Sequence, residues 1–543
     1  MPSEGGAERI PPMSSAALTL DQDIWKPKYN PWLIAVVVSL AAFMEVLDTS
    51  IANVALPYLA GDLASSNDES TWVLTSYLVS NAIVLPISGW LAGTFGRKRF
   101  FMICLFLFTV SSLLCGVASS LGLLLFYRVL QGAGGGGLQP MAQAILADTF
   151  PPQQRGTAFA LYGITAVVAP TVGPTLGGWI TFNYSWRWIF FINLPVGLLT
   201  LLLVRRFVED PPYLSRLKAA GIKLDYIGIA LLTLGVGALQ VLLDRGQEDD
   251  WFGSSFITTM AVIAVVCLVS LVIWEWFQKA PIIDVRLFKN FNFANANLTM
   301  FMLGFAYFSS LVMMPLFLQT LLGYTAQLAG FAISPGGLAL LLSMPVVGVL
   351  TTKFQARYLI AFGWLYLAGT MLYSTVQMDL LISFNAAVWL RVAQVAGLGF
   401  LFVPTNLVAF VGISPDKNNA VAGLINFMRN IGSSVGTSFV TTMLARRSQY
   451  HQEILINYTT PGNPNFQNSV SGLAQHLARS GLGAQEAHNQ AYARIYQFVQ
   501  VQAATLAYVD TFKVLAVASA IMFLLAFTLK RNEPGGGADL AVG

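Results

Sequence analysis

The sequence predicts an all-α polytopic membrane protein, with fourteen transmembrane helices arranged as two six-helix bundles and two further helices inserted between them. Three observations carry this. The 543 residues are 55% hydrophobic and only 10% charged, with a mean hydropathy of +0.64. Soluble domains carry about 25% charged residues, so most of this chain faces something apolar. Fourteen runs are long enough, at roughly 20 apolar residues each, to cross a bilayer. Finally, the two halves of the chain repeat each other.

In order, the first six runs begin near Trp32, Thr71, Phe100, Leu121, Gly156 and Arg187, and two more near Leu224 and Phe256. The last six begin near Phe293, Leu328, Arg357, Ser383, Ala420 and Tyr508. The expected organisation is a tail over 1–31, a first bundle over 32–206, a linker over 207–223, the inserted pair over 224–277, a linker over 278–292, a second bundle over 293–530 and a tail over 531–543. Met1 to Asn30 is polar and contains prolines, so the first apolar run is read as a retained span rather than a secretory signal. Cys104, Cys115 and Cys267 fall inside apolar runs without ligand-like spacing, so neither a disulfide framework nor a zinc site is expected.

The connections alternate in charge. One set carries Lys26, Lys28, Arg97, Lys98, Arg99, Arg155, Arg205, Arg206, Arg216, Lys218, Lys223, Lys279, Arg286, Lys289, Lys353, Arg357, Lys417, Lys530 and Arg531. The other is short, poor in Lys and Arg, and includes the acidic stretch Asp244 to Asp250. The positive-inside rule places the first set and both termini in the cytoplasm. Arg446 to Ala507 is long, polar and on the outer side. It is either a disordered loop or an ordered, partner-facing element, with helical character near Val470 to Ser480 and Ala484 to Ala507.

The repeat is visible in Tyr127-Arg-Val-Leu-Gln-Gly-Ala-Gly134 against Leu390-Arg-Val-Ala-Gln-Val-Ala-Gly397. A second echo joins Pro86-Ile-Ser-Gly-Trp-Leu91 to Pro345-Val-Val-Gly-Val-Leu350. The offsets, 263 and 259 residues, bracket the 261 that separates the first span of each half, Trp32 and Phe293. Parallel repeats of this kind are a transporter design, with the binding site between the repeats near mid-membrane.

Chemistry at that depth is confined to few groups. Glu45 and Asp48 lie three residues apart inside the first apolar run, on one helical face. An intramembrane carboxylate is costly and marks a functional site by default. Asp148, Asp225 and Glu275 sit near span ends, and no histidine falls within a predicted span. Proton coupling is therefore expected at Asp48, with Glu45 either sharing the proton or binding a cationic substrate. Arg128 biases this pair, or else locks Asp48 in a static ion pair. Gln131, Arg391, Gln394, Asn426 and Arg429 are polar groups in spans, read as lining a substrate cavity or bridging helices. Phe43, Met44 and Met141 are read either as an adaptable apolar surface or as residues that simply face lipid or core. Gly132-Ala-Gly134-Gly-Gly-Gly137 fits a dinucleotide fingerprint literally, but that reading needs a preceding strand. Close helix packing explains it better. There is no P-loop, no nucleophile–base set and no nucleic-acid signature, so neither an ATP-driven pump nor an enzyme is expected.

Leu47-Asp-Thr-Ser-Ile-Ala-Asn-Val-Ala-Leu-Pro57, Gly89-Trp-Leu-Ala with Gly96-Arg-Lys-Arg99, Arg128-Val-Leu-Gln-Gly132, Ala169-Pro-Thr-Val-Gly-Pro-Thr-Leu-Gly-Gly178 and Leu243-Asp-Arg-Gly246 together resemble motifs of the major facilitator superfamily. They are most similar to its fourteen-span drug:proton antiporters of the EmrB type, over Trp32 to Arg531. The resemblance implies the major facilitator fold and alternating access. It implies export of hydrophobic or amphiphilic compounds across the bacterial inner membrane, driven by the proton motive force with no cofactor or metal. It assigns Pro170, Gly173, Pro174, Gly177 and Gly178 to an antiporter motif, and Gly89, Gly96, Arg97, Lys98 and Arg99 to a gating loop. It also implies a tripartite pump with a periplasmic adaptor of the EmrA kind and an outer-membrane channel of the TolC kind. Gly93 stands where that loop motif usually carries an acid, which leaves its charge clamp weaker or rebuilt. A proton-coupled transporter of one metabolite is the alternative reading.

Overall fold

The computed structural model describes residues 27–211, 225–278, 281–414 and 417–531. The tails, most of the 207–223 linker and Lys26, Arg216, Lys218, Lys223 and Lys279 lie outside the described residues. The first bundle comprises α1 (Pro31–Asp62), α2 (Asn67–Phe95), α3 (Arg97–Gly116), α4 (Leu121–Gly135), α5 (Leu138–Thr149), α6 (Pro152–Asn183), α7 (Trp188–Phe191) and α8 (Asn193–Phe207). The inserted hairpin is α9 (Tyr226–Arg245) and α10 (Ser255–Phe277). The second bundle comprises α11 (Phe291–Leu303), α12 (Ser309–Thr320), α13 (Ala326–Ile333), α14 (Pro335–Leu350), α15 (Ala356–Gln377), α16 (Phe384–Ala396), α17 (Gly399–Ala409), α18 (Asn418–Ile456), α19 (Pro464–Arg479) and α20 (Ala484–Ala526).

Several spans are broken where the sequence weakens the helical ladder. The fourth divides into α4 and α5 at Gly136 and Gly137. The ninth joins α11 to α12 through a π-helical turn, Gly304–Phe308. Pro335 opens α14, and α6 is bent by 42° between Pro170 and Val172. Each break removes a backbone donor or relaxes the i→i−4 register, which neighbouring helices then compensate.

Eleven helical segments are long and apolar enough to span a membrane, and the bent α6 makes a twelfth. The remaining two passes, Leu121–Thr149 and α18, are too polar to count by composition. The reason is chemical. The first carries Arg128, Gln131, Gln139 and Gln143, and α18 carries Asn418, Asn426, Arg429 and Asn430. All these groups except Asn430 and Gln139 are buried inside the protein, so lipid never meets them.

The two bundles meet along two seams, α2 against α18 and α6 against α14. The inserted hairpin lies over the first seam, with α9 packed on both α2 and α18. Thr75 bonds to Asp244, and Arg245 Nη1 lies 3.0 Å from Thr71 Oγ1, which ties the hairpin to the first bundle. Gln240 Nε2 donates to Ser434 Oγ at 2.9 Å and ties it to the second.

Glu275, expected near the interface with water, is instead buried and accepts the backbone N–H of Ile282 at 3.0 Å, folding the 278–292 linker back under α10. In that linker Asp284 meets Lys417 at 2.8 Å and Arg286 at 3.1 Å. The linker's acid is thereby joined to the loop that precedes α18.

Arg446 to Ala507 is not a loop. Its first part continues α18 to Ile456, and its last part is the start of α20. At 1.5 Å per residue the 43-residue α20 is about 65 Å long, against a hydrocarbon core of about 30 Å. The two long helices therefore project well beyond the bilayer. There α19 packs on α20 through Val470, Leu477, Ala487 and Ala491, a small core of its own. His451 Nε2 lies 2.8 Å from Asp510 Oδ2 and staples α18 to α20 at its base.

Candidate functional site

The centre of the first bundle is built on α1. Asp48 is 2% exposed and is held from two helices, α4 and α8. Arg128 Nη1 donates at 2.7 Å, Gln131 Nε2 at 2.9 Å and Asn193 Nδ2 at 2.6 Å. Arg128 also bonds to Gln131 Oε1 at 2.8 Å and to the Val73 carbonyl at 3.1 Å, and it stacks over the Tyr77 ring at 4.3 Å. A charge pair this dry requires such dense compensation, because each ion loses several kcal/mol of hydration.

Glu45, one turn earlier, belongs to a different network. Its Oε1 accepts from Tyr77 at 3.2 Å and Asn81 at 3.0 Å, and its Oε2 accepts from Gln139 Nε2 at 2.5 Å. Gln139 Oε1 in turn accepts from Tyr162 at 3.2 Å and from Arg429 of the second bundle. The two acids share a helical face, yet Asp48 is sealed within the first bundle while Glu45 is wired across the interface.

Along α18 the same seam continues as a polar ladder. Asn418 Nδ2 reaches Asp148 Oδ1 at 2.7 Å, Asn426 Nδ2 reaches Gln143 Oε1 at 2.7 Å, and Asn430 Nδ2 reaches Asn81 Oδ1 at 3.2 Å. On the basic face a Cβ on Gly89 would fall 2.9 Å from the backbone of Ala420, so only glycine lets the two bundles close there. Arg97, expected in an exposed basic connection, is buried. It is 1% exposed, pairs with Asp148 and bonds to the Ala144 carbonyl at 3.3 Å. The charge clamp of the loop thus exists, with Asp148 supplying the acid across from Arg97. Lys98 Nζ bonds to the Arg205 carbonyl at 2.7 Å, and its N–H to Asp210 at 2.7 Å. Gly96, with φ +88°, makes the turn between α2 and α3, and Arg99 begins the outward side of α3.

The Pro170 to Gly178 stretch packs on α1 beside Asp48. Ser50 Oγ donates to the Pro170 carbonyl at 3.1 Å, and a Cβ on Gly173 would fall 2.4 Å from Ser50 Oγ. Gly177 lies against Ile51, and Gly178 near Val54. From the same stretch Thr175 Oγ1 meets Ser334 of the second bundle at 3.2 Å. The motif therefore bears on the acid-carrying helix on one side and on the partner bundle on the other.

A family model described as Major Facilitator Superfamily matches residues 38–437. The chain belongs to the major facilitator superfamily. It is similar to the multidrug export protein EmrB of Haemophilus influenzae, 40% identical over 458 residues, covering 84% of this chain and 86% of that protein. It is 38% identical to the multidrug export protein EmrB of Escherichia coli K12 over 463 residues, covering 84% and 90%. Among solved structures it resembles the proton:xylose symporter XylE, with a TM-score of 0.59, 14% identity and coverage of 94% and 97%. That last likeness concerns the major facilitator fold alone.

Within this major facilitator chain the second bundle carries a copy of the Asp48 node. Arg391 Nη1 donates to Gln394 Oε1 at 3.0 Å and to Ser310 at 3.4 Å, and its Nη2 donates to the Tyr307 hydroxyl at 3.1 Å. Gln394 Nε2 continues to Ser374 at 2.9 Å. Arg391 and Gln394 are thus helix-bridging groups inside the second bundle, and Gln131 is one inside the first. None of the three lines the interface, whereas Asn426 and Arg429 do. Met44 and Met141 are core residues, and Phe43 is packed beside α1's partners.

Sequence reasoning passed over Tyr77, Asn81, Gln139, Gln143, Tyr162, Asn193 and Asn430. The available signal was the one used for Gln131, a polar side chain inside an apolar run. Its partner on another helix is what the linear sequence conceals.

Proposed function

We propose that this protein is a proton-coupled exporter of hydrophobic and amphiphilic compounds, working by alternating access between the two bundles. The observation that carries the reading is the pair of buried acids on α1, one bonded to Arg128 and the other wired to Arg429 across the bundle interface. An acid in this setting can exchange a proton only when the bundles move, which is what coupling requires. The similarity to multidrug export proteins supports drugs as cargo. One proton moving inward across 100 mV supplies about 2.3 kcal/mol, enough for roughly 50-fold accumulation. Transport needs no cofactor beyond that gradient, and the chain is not an enzyme.

In this reading the basic face, both termini included, is cytoplasmic and the protein resides in a bacterial inner membrane. The projecting helices α18 to α20 are then periplasmic and form the natural docking element for an adaptor of the EmrA kind, joined to a channel of the TolC kind.

The test is efflux of a fluorescent lipophilic cation from cells lacking their own pumps, comparing wild type with equally expressed Asp48→Asn. Wild type should lower cellular dye in a pH-dependent way, and the variant should not. Full activity in Asp48→Asn removes Asp48 as coupling site, and absence of any dye movement by wild type removes the cargo class.

A further inference from the structure

The contact between Glu45 and Arg429 runs through a single amide, and an amide has a direction. Gln139 turns its Nε2 to Glu45 and its Oε1 to Arg429 and Tyr162. This orientation is the one an ionised Glu45 demands, since both carboxylate oxygens can then only accept. We propose that Gln139 is a proton-state relay, holding Arg429 to the first bundle while Glu45 is ionised and releasing it when Glu45 is protonated. The inference rests on the proton-coupled reading above and names the part that carries the signal between the bundles.

The step is a proton exchange and a rotation. A proton from the outer aqueous side bonds to Glu45 Oε2, which becomes a donor. It then faces Gln139 Nε2, also a donor, and the contact turns repulsive. Rotation of the amide by half a turn restores the bond by presenting Oε1 to the new O–H. The same rotation presents Nε2 to Arg429 and Tyr162. The tyrosine hydroxyl can accept from it, but a guanidinium has five donors and no acceptor. Arg429 loses the amide oxygen, and the Tyr162 hydroxyl that it also meets is now engaged by Nε2. Deprotonation on the other side reverses each change.

Among the groups that surround Glu45, Gln139 is the one that joins it to a charge on the second bundle, while Asn81 joins it to the neutral Asn430. On α2, Tyr77 and Asn81 both reach Oε1, and the hydroxyl can turn either way. On its own helix Asp48 is saturated by Arg128 of α4, Gln131 and Asn193. On α6, Tyr162 meets Gln139, and on α18, Arg429 brings the positive charge. Arg429 is also within 5.8 Å of the Phe402 ring, a resting place inside its own bundle once the amide lets go. Gln139 bonds to Glu45, Tyr162 and Arg429 rather than to Asp48 or Arg128, so its role is that of a positioning residue.

The experiment measures the distance between spin labels at Phe182→Cys and Leu381→Cys, exposed positions on the outer ends of the two bundles, in full-length protein whose native cysteines are replaced. Wild type in lipid nanodiscs should change its distance distribution between pH 8 and pH 5. Gln139→Met keeps the length but has no amide, and should show the low-pH distribution at both values. Gln139→Glu gives Arg429 a permanent acceptor and should show the high-pH distribution at both. Glu45→Gln should match the low-pH state throughout. A Gln139→Met or Glu45→Gln protein that shifts with pH as wild type does overturns the relay, as does a wild type that does not shift. The distances require no cargo, so a failed dye assay with an intact pH shift removes the export reading and leaves the relay standing.

Discussion

Ser310 meets Arg391 from the place that Asp48 holds against Arg128. Asp48 and Ser310 stand 262 residues apart, as do Glu45 and Tyr307, and Ser112 and Ser374. Asp48, Ser310, Ser112, Ser374 and Tyr307 each contribute to a buried arginine node, whereas Glu45, the counterpart of Tyr307, has turned to the Gln139 network. The second copy thus keeps the scaffold of the site and carries hydroxyls where the first carries both acids. Only the first copy carries carboxylates at these positions.

This asymmetry predicts unequal costs for removing the two arginines. Arg128→Met leaves Asp48 buried without its counter-charge and should destabilise by about 3–5 kcal/mol. Arg391→Met removes a buried charge without orphaning another and should cost under about 2 kcal/mol, because apolar replacement of buried charge is often near neutral. Thermal unfolding of both variants in the same detergent decides the matter, and the reverse order would contradict the assignment of the nodes.

Closure at the basic face depends on Gly89. Gly89→Val places side-chain atoms against the Ala420 backbone, which cannot retreat without moving α18. The variant should rest with the basic face parted. A cysteine introduced at Asn418, buried in the parent, should react with a membrane-impermeant maleimide from that side at least several-fold faster than in the Gly89 background. Unchanged labelling would show that the seam closes elsewhere.

Burial of Asp284 works against its ionised form, but the hydrogen bonds and charges of Lys417 and Arg286 outweigh this, so its carboxyl lies below the ordinary aspartate value. A group depressed on folding stabilises the fold above its unfolded value and loses that contribution as pH falls through the folded one. Asp284→Asn should therefore lower the melting temperature at neutral pH, by an amount equivalent to under about 1 kcal/mol for so exposed a pair. The difference from wild type should vanish in strong acid. A difference that grows on acidification would refute the ion pair's role.

The projecting helices carry a prediction that separates transport from assembly. Leu477→Asp puts a charge into the small core of α19 and α20 while leaving the membrane bundles untouched. Dye transport by the purified variant in proteoliposomes should equal wild type. Drug resistance conferred on cells with an intact outer membrane should fall sharply if this element docks an envelope partner. Equal resistance would remove the docking role.

The helical bundles, their number and their duplication were legible in the chain because each rests on local composition and periodicity. The buried acids were legible too, since a carboxylate in an apolar run announces itself. What stayed hidden was allegiance. Glu45 and Asp48 sit one turn apart, yet Asn193, Gln139 and Arg429 divide them between two networks, and those partners are up to several hundred residues away. The segment Arg446 to Ala507 was legible in part, since the helical stretches near Val470 and Ala484 are present as α19 and α20, while a loop remained the other reading. Its polarity resembles a loop because it leaves the bilayer, while its order comes from helices propagating out of the membrane and from Val470 and Leu477 burying one short face.

The hairpin formed by α9 and α10 is stitched to α2 through Asp244 and to α18 through Gln240, so it straddles one of the two bundle seams. An amphiphile diffusing within the leaflet meets a fence on that flank. The molecule is thereby given one covered seam and one bare seam, the latter along α6 and α14, where Thr175 and Ser334 bridge the bundles. Any cargo arriving from the leaflet would then find the two flanks unequal, although the architecture is nearly two-fold.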